Sequence, residues 1–291
     1  MERTRVLLVR FGEIALKSRY VRRQLRDRLV ANIQDGFAAE GVECVTEADE
    51  ARIYVHADDL DRAKSILVRV FGIVSISPAT ETHGDLESIK ALAAQEAASA
   101  GLGPGVTFAV RARRVGTHPF TSQDLAKEVG GAILDAHPRV KVNLGAPQVE
   151  IHVEVRENRG FVFREFWPGP GGLPLGSQGR ALALVHGEAG MVAAWMAMKR
   201  GCRVVAAGAP GSAEVEALRR WEPGLKVLEA PAAGTVEDLV RIARAGAVFV
   251  GTRGRDFDPS RRPTVSVPVF EPVIGLADDE AAALAARIRA G

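Results

Sequence analysis

The residues His186–Gly190 stand between an apolar run and a helical run, in the order ALALV, HGEAG, MVAAWMAM. A strand, turn and helix of this kind holds phosphate when free N–H groups and the positive end of the helix dipole meet in the turn. His186, Gly187 and Gly190 are therefore candidate nucleotide-binding residues. Glu188 argues against that use, because a carboxylate at a helix start repels phosphate. The sequence predicts a turn at His186–Gly190 that has the frame of a phosphate loop without its polar ligands.

Arginines alternate with apolar residues in the segment TFAVRARRVGTHPFTSQDLAKEV. This pattern predicts a half-buried strand with Arg111 and Arg113 on its open face, followed by a loop that starts at Arg114. Thr121 or Ser122 is expected to cap the next helix, whose first N–H groups can meet a phosphate. The predicted RNA-binding residues here are Arg111, Arg113, Arg114, Ser122 and Lys127. The alternative is an exposed strand face beside an ordinary helix cap.

A second basic cluster lies near the start of the chain, where residues 1–28 contain nine basic and three acidic residues. A helix predicted from Ser18 to Ala39 places several arginines on one face and Tyr20, Leu25 and Leu29 on an apolar side. Such a patch attracts a phosphate backbone. The predicted RNA-binding residues of this cluster are Lys17, Arg19, Arg22, Arg23 and Arg26. The alternative is a solvated helix face.

The order of predicted strands and helices indicates α+β and α/β architecture in three parts. Residues 1–79 read as a small α+β domain, and residues 80–167 as a second one that ends in a hairpin. A segment rich in glycine and proline, residues 168–180, reads as a linker. Residues 181–291 alternate strands with helices, which predicts a Rossmann-like parallel sheet. Four arginines make its last loop, Gly251–Arg262, an expected electropositive site for RNA or a nucleotide at the carboxyl ends of the strands.

Composition is that of an intracellular globular protein, with 291 residues and 47% hydrophobic content. No apolar run approaches the ~18 to 20 residues that span a bilayer, so we expect a cytoplasmic protein without a membrane. Cys44 and Cys202 are far apart, which excludes a disulfide scaffold, and both are expected to be inert buried thiols. A persulfide carrier is the alternative for Cys202. The six histidines show no metal-ligand spacing, so no metal is inferred.

Several blocks together resemble the tRNA 4-thiouridine synthetases. RFGEIALKSRYVRRQLRDRLVANI is similar to the ferredoxin-like segment of that family, and FAVRARRVGTHPFTSQDLAKEVGGAIL with VNLGAPQVEIHVEVRENRGFVF resembles its THUMP core. GGLPLGSQGRALALVHGEAGMVAAWMAMKRG resembles the linker and first βα unit of the adenylating PP-loop domain, and VPVFEPVIGLADDEAAALAARI its closing strand and helix. The resemblance implies a ferredoxin-like domain, a THUMP domain that binds the acceptor end of tRNA, and a PP-loop-type domain. It also implies a homodimer.

The departures from the family fall on its chemistry. HGEAGM stands where the family has SGG-x-DS, GTRGRDFDPSRR replaces a second glycine-rich loop, and the sulfur-carrying cysteine has no counterpart. One hypothesis is therefore a tRNA-binding protein that has lost adenylation and works with a separate catalytic or sulfur-donor protein. The alternative is an active thiolation enzyme that uses ATP with magnesium and sulfur from a partner. A third hypothesis keeps the last domain as a binder of an unrelated small molecule.

Overall fold

The computed structural model describes residues 5–12, 18–229 and 235–291. The predicted mixed architecture is confirmed. Its first part contains β1 (Arg5–Phe11), α1 (Arg19–Ala39), β2 (Val45–Ala48), β3 (Ile53–His56), α2 (Leu60–Leu67) and β4 (Ile73–His83).

The next part of the chain, residues 86–168, also packs its helices on one face of a sheet. It contains α3 (Leu86–Ser99), β5 (Thr107–Val115), α4 (Ser122–Ala136), β6 (Lys141–Val142), β7 (Val149–Arg156), β8 (Arg159–Phe163) and β9 (Trp167–Pro168). Strands β1 to β9 form one sheet in the order β2-β3-β1-β4-β8-β7-β5-β6, and β9 pairs with β4. Alternation along β7 buries Ile151, Val153 and Val155 in a core with residues of α3 and α4. Glu150 and His152, which alternate with them, lie on the opposite face.

The last part is a parallel sheet in the order β12-β11-β10-β13-β14. Its elements are β10 (Arg180–Leu184), α5 (Gly187–Lys199), β11 (Arg203–Ala207), α6 (Ala213–Arg219), β12 (Lys226–Leu228), α7 (Val236–Ala243), β13 (Val248–Val250), β14 (Val269–Phe270) and α8 (Asp278–Ala290). Alternate residues of β10 enter different cores, because Ala181 and Ala183 join the core with α5, α6 and α8, and Leu182 joins the core with α7. The sheet is therefore covered on both faces.

The chain forms two compact units. One consists of residues up to Val9 with Tyr54–Leu60 and Ile76–Trp167, and the other of Arg10–Ile53, Asp61–Ser75 and Pro168–Gly291. The predicted domain boundaries at residues 79, 167 and 180 stay predictions.

The segment predicted as a linker, residues 168–180, is held by backbone hydrogen bonds. Gly72 N–H donates to Gly171 O at 2.9 Å, and Leu173 N–H donates to Lys199 O at 3.0 Å. Gly172 has a φ of +76°, and a Cβ built there would lie 2.1 Å from the same Lys199 oxygen. Only glycine allows this approach of the segment to the end of α5.

Two local predictions were wrong. Tyr20 was expected on the apolar side of α1, but it is 71% exposed and its hydroxyl accepts a hydrogen bond from Gln24, since the buried stripe begins only at Leu25. The predicted turn at His186–Gly190 is instead the start of α5, which begins at Gly187 directly after His186.

Candidate nucleic-acid interface

Arg111 and Arg113 of β5 lie on the exposed face of the strand, as the alternation predicted, but they differ in their partners. Arg111 Nε donates to Glu150 Oε1 at 2.9 Å, and its Nη2 donates to Leu144 O at 2.9 Å. Arg113 is exposed and has no ion pair or hydrogen-bond partner for its side chain in the described parts of the chain. Arg113 is therefore the cation of this strand that a phosphate can approach without displacing a carboxylate.

Arg114 does not start the loop, because β5 continues to Val115. Its side chain points to the face opposite that of Arg113, is half-buried, and donates from Nη1 to Gly116 O at 2.9 Å. The hydrogen bond holds the guanidinium against the turn that follows the strand.

The start of α4 is already occupied by an anion of the chain itself. Thr121 Oγ1 accepts from Asp124 N–H at 3.1 Å, and Asp124 Oδ2 accepts from Thr121 N–H at 2.9 Å, so Thr121 rather than Ser122 is the cap. The N–H and hydroxyl of Thr121 lower the pKa of Asp124, with a smaller contribution from the charge of Lys127. The carboxylate competes with a phosphate at this helix end. Ser122 is half-buried and Lys127 is exposed.

Aromatic side chains lie beside these arginines, and the sequence analysis missed them. The register places Arg111, His152 and Phe163 side by side on β5, β7 and β8. The His152 ring stacks on Phe163 with centroids 5.3 Å apart, and Phe166, 47% exposed, meets His152 edge to face at 4.8 Å. Strand alternation predicts that His152 lies on this face of β7. The rings come together only because β7 pairs with β8, which carries Phe163, and because the chain after Phe163 brings Phe166 back to His152.

The arginines of α1 take part in surface ion pairs. Arg19 lies 3.4 Å from Glu50, Arg23 lies 3.8 Å from Asp27, and Arg26 lies 3.0 Å from Asp27. The exposed pairs of Arg19 and Arg23 are worth about 0–1 kcal/mol, so RNA phosphates can replace their carboxylates. Arg26 has 19% of its side chain exposed, and its Nη1 also donates to Asp49 O at 3.0 Å. Arg22 is half-buried, and its Nε has no acceptor within the described segments. Lys17 lies outside the described residues.

Glycines allow close backbone packing around the start of α5, both in the β10–α5 connection and after β13. A Cβ on Gly190 would lie 2.5 Å from Leu184 O, and a Cβ on Gly251 would lie 2.2 Å from the carbonyl carbon of Ala189. Gly187 has a φ of +61° with nothing within 4 Å of its Cβ position. His186 precedes the helix without capping it through its side chain. The nucleotide-binding assignment of His186, Gly187 and Gly190 stays a prediction.

The loop Gly251–Arg262 was expected to be electropositive, and this was wrong. Each of its four arginines faces a carboxylate: Arg253 pairs with Glu188 and Asp278, Arg255 with Asp278, Arg261 with Asp258 and Arg262 with Glu271.

A cleft of about 250 Å³ lies at the carboxyl ends of β10 and β13, where a nucleotide was expected. Its wall contains His186, two arginines and three carboxylates, namely Arg261, Arg262, Asp256, Asp258 and Glu271. Near neutral pH the charges of this wall do not favour a polyphosphate.

The two cysteines are half-buried rather than buried, and burial raises the pKa of both thiols. The described residues contain no group of histidine, cysteine and carboxylate side chains that could hold a metal ion. In that same part of the chain, no helix is long and apolar enough to cross a membrane.

Together, the mixed sheet with an arginine and aromatic face and the following parallel sheet define a protein of mixed α+β and α/β architecture. A family model described as the THUMP domain matches residues 83–164, and one described as the ThiI ferredoxin-like domain matches residues 6–77. The crystal structure of PH1313 from Pyrococcus horikoshii Ot3 is 30% identical with a TM-score of 0.83, covering 98% of this chain and 99% of that one.

Sequence relatives agree with the family models. The probable tRNA sulfurtransferase of Methanothermobacter thermautotrophicus is 41% identical over 206 residues, covering 69% of this chain and 51% of the relative. The tRNA sulfurtransferase of Pyrobaculum aerophilum is 40% identical over 203 residues, covering 68% of this chain and 40% of the relative. The alignments thus span about half of these relatives. The chain belongs to the family of THUMP-domain proteins that includes the tRNA sulfurtransferases, which confirms the resemblance.

A further solved structure shares the fold. A 4-thiouridine synthetase crystallised in complex with RNA and bound ATP is 23% identical with a TM-score of 0.74, covering 98% of this chain and 85% of that one.

Proposed function

We propose that the chain binds tRNA through its THUMP domain and takes part in tRNA thiolation, without adenylating the nucleotide by itself. Support comes from the family, whose curated members carry the name tRNA sulfurtransferase, and from the synthetase that was crystallised with RNA. A separate protein supplies the catalytic step or the sulfur. The protein works as a cytoplasmic homodimer and binds the acceptor end of the tRNA.

One observation carries the RNA-binding proposal: an exposed arginine without a partner among the described residues lies on the same face as a cluster of aromatic rings, of which Phe166 is exposed. Arg113 supplies a charge for a phosphate, and Phe166 with His152 supplies ring surface on which an unpaired base stacks. Stacking on an aromatic side chain is worth about 1–3 kcal/mol per base, so the rings add to the ionic contacts.

Other predicted contacts have smaller roles. Arg111 exchanges Glu150 for a phosphate, and Arg114 fixes the turn before α4. Lys127 supplies charge near the start of α4, where Asp124 limits anion binding. The α1 arginines form a separate basic surface and bind phosphates at independent positions.

The test is tRNA affinity across a series of salt concentrations. Replacing Arg113 with alanine is expected to weaken binding and to reduce the slope of log K against log salt by about 0.7–0.9, the value for one lost phosphate contact. Arg111→Ala should have a smaller effect, because that side chain gives up Glu150 in order to bind. Arg241→Ala, an exposed arginine of α7, is the matched control.

A second readout separates stacking from charge. Phe166→Ala is expected to weaken binding without changing the salt slope, because no phosphate contact is lost. If Arg113→Ala and Phe166→Ala both bind tRNA with the affinity of Arg241→Ala, this face is not the RNA site.

The charges at the carboxyl ends of the parallel strands support the proposed loss of adenylation. Glu188, at the first turn of α5, already pairs with Arg253 and Arg289 at 3.2 and 2.9 Å. The helix end that would hold a phosphate therefore carries a carboxylate, and the two arginines beside it are already paired with that carboxylate.

The second candidate function is ATP-dependent thiolation by this chain, and the name tRNA sulfurtransferase that its curated relatives carry is the observation that favours it. Calorimetric titration of ATP with magnesium, first without and then with unmodified tRNA, distinguishes the two. Absence of heat in both titrations supports the binding function. Micromolar binding in either would show that the chain holds ATP and would favour the second candidate.

A further inference from the structure

A second cleft, of about 940 Å³, lies at the opposite edge of the parallel sheet. Arg180 begins β10, Cys202 precedes β11 and Ala247 precedes β13, so the cleft lies at the amino ends of these strands. Met196 of α5 and Leu284 of α8 contribute to its walls. Small-molecule sites have volumes of about 300–1,000 Å³, and this cleft falls within that range.

The charges around this cleft are mainly positive. Four cations line it, namely Arg180, Lys199, Arg200 and Arg287, against one carboxylate, Glu271. That carboxylate is already engaged, because its Oε1 accepts from Thr252 Oγ1 at 2.9 Å and its Oε2 lies 3.7 Å from Arg262 Nε. The cleft therefore has an excess of positive charge that its own wall does not balance.

Two of the four cations have no partner. Arg180 and Arg200 are exposed, and within residues 5–12, 18–229 and 235–291 their side chains make no ion pair or hydrogen bond. Basic residues at the C-terminus of a helix often interact with the negative end of the helix dipole, and Arg200 directly follows the last residue of α5. At this helix end the carbonyl of Lys199 already accepts the N–H of Leu173 at 3.0 Å. The two arginines are thus available to a ligand.

Aromatic rings form another part of the wall. Phe249 and Phe270 have centroids 5.2 Å apart, and Phe270 is 50% exposed. Trp195 also belongs to the wall, but it is only 1% exposed. Planar rings and free cations together suit an aromatic anion.

We infer that this cleft binds a nucleoside 5′-monophosphate, with the phosphate neutralised by Arg180 and Arg200 and the base against Phe270. The proposal is independent of the tRNA site and of the His186 loop, because the residues assigned to the ligand here, Arg180, Arg200 and Phe270, belong to neither one. The half-buried thiol of Cys202 lies in the wall and becomes covered when the ligand is present.

The test uses the full chain with Cys44→Ser, which leaves Cys202 as its one cysteine. Alkylation of Cys202 by iodoacetamide is followed with and without AMP or UMP, and calorimetry gives the dissociation constant. We expect saturable slowing of alkylation and binding of at least one monophosphate. Adenosine should bind at least about tenfold more weakly than AMP, because it lacks the charge that the arginines neutralise.

Variants then connect the binding to the arginines. Arg180→Glu combined with Arg200→Glu should raise the dissociation constant for the monophosphate about tenfold or more, whereas Arg241→Glu, at an exposed position of α7, should leave it unchanged. Both sites are on the surface, and circular dichroism confirms that each variant is folded. The inference is overturned if AMP and UMP give neither heat nor protection of Cys202, if adenosine binds as well as AMP, or if the double variant binds like the control.

Discussion

Replacing the buried Glu222 should change how the stability of the protein depends on pH. Glu222 follows α6, is 5% exposed and has an Oε2 without a hydrogen-bond partner in the described parts of the chain. Its Oε1 lies 3.7 Å from Arg203 Nε. Burial raises the pKa of this carboxyl from 4.5 to about 7, against the smaller opposite effects of Arg203 and of the N–H of Val204.

The size and sign of the effect follow from that pKa. A carboxyl whose pKa is higher in the folded protein binds its proton more tightly when folded, so its contribution to stability is fully present below pH 4.5. The contribution is lost as the pH rises through about 7. The difference between the two pKa values corresponds to about 3 kcal/mol in the free energy of unfolding.

The variant Glu222→Gln keeps the side chain neutral at every pH. It should match the wild type near pH 4.5. At pH 8 we expect it to be more stable by about 1–3 kcal/mol, less than the full value because Arg203 loses its partner.

Urea unfolding at pH 4.5, 6 and 8 measures this difference, and Glu43→Gln, at an exposed position, is the control. A difference between wild type and Glu222→Gln that stays constant over this range would refute the assignment of a raised pKa to Glu222. So would a Glu43→Gln variant that gains as much stability at pH 8 as Glu222→Gln.

Two further substitutions test packing and capping. Gly251→Ala should destabilise the protein by about 1–3 kcal/mol or more, because the new Cβ meets the backbone of Ala189. Gly187→Ala should cost only about 1 kcal/mol, because only its positive φ opposes the substitution. Equal shifts in melting temperature for the two variants would contradict the close approach of Gly251 to Ala189. Thr121→Ala should lower stability by about 1 kcal/mol through loss of the α4 cap, with Ser122→Ala as the neighbouring control in the same unfolding assay.

Much of the fold could be predicted from local patterns. Alternation in Val149–Arg156 predicted a strand with one buried face, and the apolar run before His186 predicted the first strand of the parallel sheet. These predictions hold because the periods of strands and helices are properties of neighbouring residues. The exposure of Arg111 and Arg113 followed from the same reasoning.

Tertiary structure decided which charged residues are available for binding. Arg253 and Arg255 looked free in the sequence, yet both pair with Asp278, which is more than twenty positions away. Arg111 and Arg113 alternate identically, but only Arg111 lies within reach of Glu150.

The amino-edge cleft and the burial of Glu222 likewise require the packed chain, because each combines segments that are distant in sequence. The sequence by itself determined the strands, the helices and the faces that they expose, since local periodicity encodes them. Pairing of charges and enclosure of volume depend on distances in space between remote residues, and the folded structure alone sets those distances.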